Sequence, residues 1–274
     1  MKRSAVVIIV ILCHHVLAFQ LFAGGEYRPA GARSAALGNA SVAISDVWSA
    51  FNNQAALASL GSPVAGIYYE NRFLIKELGY NAIAFAYPMK SGTIAVSYSY
   101  FGFSAYNESK TGVAFAKALN RFISIGVQLD YFSLRVDEPY GNSNFVTFEA
   151  GLTAKITPQL TLGAHAFNPI NASLSKTSDE RAPSVLRIGV AYKTSDFFTI
   201  SAEAEKNINH KVVLKTGIEY KVIDAVQLRI GISTNPSLFS FGTGIHYKNL
   251  LIDISAAYHQ VLGFSPQTSI AYAF

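Results

Sequence analysis

Four histidines follow residue 23 of this sequence, His165, His210, His246 and His259, and none has the H-E-x-x-H or paired spacing of a metal site. The nearest approach to a nucleophile elbow, Gly102-Phe103-Ser104-Ala105-Tyr106, lacks the second glycine of G-x-S-x-G. Cys13, the one cysteine, falls in the N-terminal apolar run, so thiolate zinc sites, disulfides and cysteine nucleophiles are excluded from the rest of the chain. No glycine-rich phosphate loop or basic–aromatic stripe is present, which argues against nucleotide or nucleic-acid partners. The chemistry that remains is electrostatic. Arg187, Lys193, Glu203, Glu205, Lys211, Lys215, Glu219, Lys221 and Arg229 recur on one parity of alternating stretches. Opposite charges so placed can pair across neighbouring strands. Mixed signs suit a structural lattice better than an ion-selective pore, which uses a ring of one sign. The expectation is a protein with no catalytic residues, no metal and no cofactor.

Period-two alternation is what positions these charges. Leu186, Ile188, Val190 and Tyr192 share one face, with Arg187, Gly189 and Ala191 opposite; Val226, Leu228, Ile230 and Ile232 alternate with Gln227, Arg229, Gly231 and Ser233. From Pro63 onward the pattern predicts about fourteen strands of about 9–11 residues, long enough to cross a bilayer when tilted. Short turns break it, among them 88–92, 119–121, 157–159, 194–196, 207–209 and 222–224, with longer connections at 136–144 and 168–183. Half of the residues are hydrophobic and only 14% are charged, against about 25% in a soluble domain. Tyr68, Tyr69, Tyr87, Tyr100, Phe101, Phe103, Tyr131 and Phe132 near strand ends predict an interfacial girdle. The last strand ends in Tyr272 and Phe274, the form of an outer-membrane assembly signal. Alanine and serine at 82, 84, 86, 95, 97, 99, 114 and 116 predict one smooth inner wall facing a charged one.

Two N-terminal segments stand apart. Lys2 and Arg3 followed by Ala5–Leu12 read as an export signal, cleaved after Ala18 or Ala23. Without Lys2 and Arg3 the chain has 20 basic and 17 acidic residues, a surplus of 3 that is too mild for nucleic acid. Gly31–Gly61 is too rich in alanine and too poor in alternation to be a strand, which predicts a compact plug against the strands. Asp46 is placed to cap a helix over Val47–Phe51, and a second short helix is expected over Gln54–Leu60. The domains are thus a signal peptide at 1–23, a hatch at 24–62 and a transmembrane β-barrel at 63–274.

The stretch GARSAALGNASVAISDVWSAFNNQAALA resembles the N-terminal hatch of FadL-like outer-membrane barrels, most closely their PorV/PorQ branch. The shared features are Arg33, Leu37-Gly38, the small run Ala40–Ala43, Asp46, Ser49-Ala50, and Asn53 with Ala55 and Leu57. Gln54 stands where the family has proline and Ala56 where it has glycine. The C-terminal stretch from Gly231 to Phe274 also resembles the ends of these barrels. The resemblance implies a fourteen-stranded barrel with its N-terminus folded into the lumen, and Arg33, Gly38, Asp46, Asn52 and Asn53 are its hatch residues here. Members transport hydrophobic compounds or serve as accessory barrels of type IX secretion. A mature length of roughly 250 residues favours the accessory role, with outer-membrane lipid and secretion-system proteins as partners. The alternatives are a FadL-like channel for hydrophobic small molecules and, third, a loop- or lumen-based lipid hydrolase.

Overall fold

A computed structural model describes residues 24–137, 141–174 and 181–274. The expected signal peptide and its cleavage site lie outside these residues. Fourteen strands follow in order: β1 (Val64–Asn71), β2 (Gly79–Met89), β3 (Gly92–Phe103), β4 (Tyr106–Ala118), β5 (Ile123–Val136), β6 (Gly141–Lys155), β7 (Leu160–Phe167), β8 (Val185–Lys193), β9 (Phe198–Asn207), β10 (Val213–Ile223), β11 (Val226–Ser233), β12 (Leu238–Tyr247), β13 (Leu250–His259) and β14 (Gly263–Ala273). Each pairs antiparallel with its chain neighbours, and β1 closes on β14 from Val64↔Ala273 to Glu70↔Gln267. Closure leaves no strand edge with unpaired N–H and C=O groups, the condition for a sheet to sit in hydrocarbon.

Alternation sets the two faces of the wall. Outward positions are large and apolar, such as Ile83, Leu129 and Leu214, each more than half exposed. Inward positions are buried, and they are small, glycine or charged. The same parity corrects the girdle. Tyr69, Tyr87, Phe103 and Tyr131 face outward, whereas Tyr68, Phe101 and Phe132 are buried on the inner side. Adjacent aromatics cannot both face lipid when the side-chain period is two.

The N-terminal residues form short turns, and no described helix is long and apolar enough to cross a membrane. Helix α1 spans Ala32–Ala36, α2 spans Ser49–Asn52, and a 3₁₀ turn covers Gln54–Ser59. Both expected helices are therefore shorter than the sequence predicts. Asp46 caps the bend before α2 rather than the helix itself: its Oδ1 accepts from the Trp48 N–H at 2.9 Å, and Trp48 occupies the N-cap. Among residues 30–60 most side chains are buried, Ala30, Leu37, Val42, Trp48, Phe51 and Leu57 among them.

Candidate functional site

The contacts between the N-terminal segment and the barrel wall are of two kinds. On one side, Val47, Trp48, Phe51 and Leu57 share an apolar cluster with Ala82, Ala84, Ala86, Ala95, Ala114 and Ala116. On the other side the contacts are ionic. Arg187, on β8, donates from Nε and Nη2 to both oxygens of Glu203 on β9, at 2.7 and 2.8 Å. It also donates from Nη1 to the Asn52 carbonyl at 2.6 Å and to the Tyr27 hydroxyl. Glu203 Oε2 accepts the Ser41 and Val42 N–H groups, each at 2.9 Å. Lys215 completes the group by donating to Glu203 at 3.1 Å and to Glu205 at 2.5 Å. Two cations face two carboxylates here, and each charge is hydrogen-bonded, as burial requires.

A second network joins Arg33, Glu219 and Arg229. Arg33 holds Glu219 with two bonds of 2.8 and 2.7 Å, and Arg229 reaches the same carboxylate at 2.6 Å. Arg229 then binds Asp253 at 2.6 Å, and Asp46 lies 3.7 Å from Arg33. Burial raises the Asp46 carboxyl above its ordinary pKa, and the Arg33 charge only partly opposes this. Asn52 and Asn53 join parts of the segment to one another and to the wall. Asn52 Nδ2 donates to the Ala30 carbonyl and the Ser34 hydroxyl, both at 3.0 Å. Asn53 Nδ2 ties the Val42 carbonyl at 2.6 Å to the Leu152 carbonyl of β6 at 3.2 Å.

Three cross-strand glycine pairs let the segment's backbone approach the wall: Gly126↔Gly151, Gly163↔Gly189 and Gly217↔Gly231. A Cβ at Gly126 would lie 2.4 Å from the Ala55 nitrogen, and one at Gly231 would lie 2.2 Å from the Gly38 nitrogen. Gly38 has φ +65° and presses against the Ile232 backbone, so its own position suits only glycine.

Several predicted residues lie elsewhere. Lys193 is half exposed at the end of β8 and pairs with Asp196 at 3.8 Å, away from the inner networks. Lys221 turns to Asp224 at 3.0 Å, and Lys211 is exposed before β10. Tyr272 and Phe274 face outward with their rings 5.2 Å apart. Sequence reasoning also missed a third polar group on β4–β7. Glu149 accepts from Lys110 and from Gln54 of the segment, each at 2.6 Å, and lies 2.8 Å from His165. Nearby, Arg28 and the Gly25 N–H bind Glu108 at 2.7 and 3.0 Å. The smooth wall is therefore smooth only along part of its height: Glu108 and Lys110 share the inward parity of Ala114 and Ala116, a signal present in the sequence.

Above the segment, at the end carrying the longer connections, a cavity of about 660 Å³ is lined by Tyr27, Pro183, Val185, Lys211 and Pro236. A neighbouring one of about 290 Å³ reaches Pro29, Tyr68, Phe73 and Leu238. Both are lined by Tyr27, Glu205, Val213, Asn235 and Pro236, so together they form one vestibule with the segment beneath it. On the outer wall, a hollow of about 730 Å³ runs across β6–β10. It lies over Ala164, Ala202 and Ala204, between Leu162, Ile188 and Leu214, and reaches Glu203 and Lys215 beside Gly163 and Gly189.

No protein-family model matches the sequence, and no curated protein matches it. Solved structures do match the fold. The CymD monoaromatic hydrocarbon channel aligns at 12% identity and TM-score 0.68, over 92% of this chain and 99% of its own. A Pseudomonas aeruginosa FadL homologue matches at 12% and 0.68, over 92% and 100%. The Ralstonia pickettii toluene transporter TbuX matches at 12% and 0.68, over 93% and 100%. The chain shares the barrel fold of these outer-membrane proteins. With its closed, lipid-facing wall, the protein is a bacterial outer-membrane β-barrel.

This fold match corrects the expected PorV/PorQ branch and, with it, the accessory role in type IX secretion. The matched structures include a monoaromatic hydrocarbon channel, a toluene transporter and a FadL homologue, and this chain spans 99–100% of the lengths of these three, so its brevity does not signal an accessory barrel. The motif is also less specific than its match implied. Its small residues, Gly38 and Asn53 meet the needs of any backbone pressed against inward glycines. The channel neighbours agree with the non-enzymatic reading of the sequence.

Proposed function

We propose that the protein is a FadL-type channel through which hydrophobic small molecules cross the outer membrane. The observation that carries this reading is the whole-chain fold match to hydrocarbon channels and toluene transporters. The vestibule supports it, since Tyr27, Tyr68, Phe73, Val185 and Pro236 offer apolar surface at the mouth of the barrel. Residues 24–62 act as a hatch, with Arg33, Gly38, Asp46, Asn52 and Asn53 seating it and the Arg187–Glu203 and Glu219–Arg229 networks holding it. An apolar cargo gains by leaving sideways into lipid rather than onward into water. The hollow over Ala202 and Ala204 supports such an exit, as Ala164, Ala202 and Ala204 leave space there between Leu162, Ile188 and Leu214. Tyr272 and Phe274 serve as the assembly signal.

Uptake of radiolabelled toluene and of a labelled long-chain fatty acid tests the reading in cells that lack other such channels. Faster entry of at least one compound is expected with the channel present, slowed by Ala202→Trp with Ala204→Trp. Entry of both at the empty-vector rate would overturn it. Planar bilayers should show no steady ion current, because the charges on the inner wall are of mixed sign and paired.

A further inference from the structure

Six tight turns join the strands at the end where the chain terminates, and each carries a lysine or arginine in the turn or in the last three residues of the strand before it. Lys90 lies between β2 and β3, Lys117 and Arg121 between β4 and β5, and Lys155 between β6 and β7. Lys193, Lys221 and Lys248 occupy the next three turns. Against these seven cations the described residues of this rim present two side-chain carboxylates, Asp196 and Asp224, which pair with Lys193 and Lys221. Lys90, Lys117, Arg121, Lys155 and Lys248 make no ion pair among the described residues, so the rim has a surplus of five positive side-chain charges.

Height on the wall shows what these cations meet. Outward aromatics crowd the same rim, including Tyr87, Phe122, Tyr192, Phe197, Tyr247 and Phe274. Arg121 lies 4.5 Å from the Phe122 ring, Lys221 5.8 Å from Phe197 and Lys248 5.5 Å from Tyr247. Girdle aromatics sit at the boundary between hydrocarbon and headgroup, so the cations beside them lie at phosphate depth. Short turns mark the periplasmic end of such barrels, and the surrounding leaflet there is phospholipid. A globular acidic partner would cover one sector of a rim. These cations are spread around six successive turns, a distribution that matches an annulus of lipid.

We propose that this rim is a binding surface for anionic phospholipid headgroups, holding a shell of glycerophosphate lipids through Lys90, Lys117, Arg121, Lys155 and Lys248. The full barrel, exchanged into mixed vesicles of phosphatidylglycerol and phosphatidylcholine and then into detergent, can be weighed intact with its retained lipid. The expected result is a preference for phosphatidylglycerol on the order of tenfold, weakened by salt. Replacing the five residues with glutamine should abolish the preference, and replacing them with arginine should keep it. The pair Lys193→Gln and Lys221→Gln, which removes cations already neutralised by aspartate, should change little and controls for folding. Equal retention of the two lipids by the unmodified barrel would overturn the proposal. So would a preference that survives the five glutamines, or equal retention of purified lipid A through the same five residues.

Discussion

Between β2 and β4, much of the inner wall is Ala82, Ala84, Ala86, Ala95, Ala114 and Ala116, and the segment lays Trp48, Phe51 and Leu57 across it. Between β5 and β11 the wall is glycine alternating with charge, and the segment meets it through its backbone: Ala55 at Gly126, Val42 at Gly163, Leu37 at Gly217. The apolar side stabilises by burial, which is non-directional and permits small sliding. The polar side specifies position, since Glu203 can accept from Ser41 and Val42 in only one register. One wall therefore contributes adhesion and the other alignment.

Breaking the polar wall should have the largest effect. Arg187→Met leaves Glu203 buried beside Lys215 alone and removes the bond to the Asn52 carbonyl; a loss of ~3–5 kcal/mol is expected in thermal unfolding in detergent. A loss no larger than that of an exposed substitution would show that the network does not hold the segment. Gly126→Ala should come next, near the upper end of ~1–3 kcal/mol, because the added methyl meets backbone that cannot rotate away. Ala84→Val probes the same overpacking on the apolar wall and should fall near the lower end of that range, as side chains there can shift. Hydrogen exchange at residues 53–60 reads both, and equal effects at the two positions would erase the distinction between the walls.

The smallest effect concerns pH. Because the folded state raises the Asp46 pKa, it binds a proton more tightly than the unfolded chain does. That contribution to stability is complete below the ordinary carboxylate range and is lost as pH rises through the raised value. Asp46→Asn should flatten the melting temperature across that window, and an unchanged slope would place the dependence on another group. Assembly offers a separate check: Phe274→Ser should slow insertion without moving the melting temperature of barrels already folded, and unchanged kinetics would remove its role as a signal.

Much of this architecture was legible as pattern. The period-two alternation of Leu186–Tyr192 and Val226–Ser233 determined which side chains face lipid and which face inward, and the run of such stretches determined the count of fourteen strands. It also placed Arg187, Glu203, Lys215, Glu219 and Arg229 on the inner parity, where the structure brings them together in two networks. Alternation is a local property of the backbone, so it survives in the sequence. Pairing is not local. Arg33 reaches Glu219 across 186 residues, and Gln54 reaches Glu149 across 95, distances set by strand register and by the segment's path. Only the closed barrel decided that Lys193 would sit at the rim, that Tyr68 and Phe132 would turn inward, and that three glycine pairs would make room for a backbone. The physical reason is that parity assigns a face, whereas a partner on that face is chosen by where another part of the chain comes to lie.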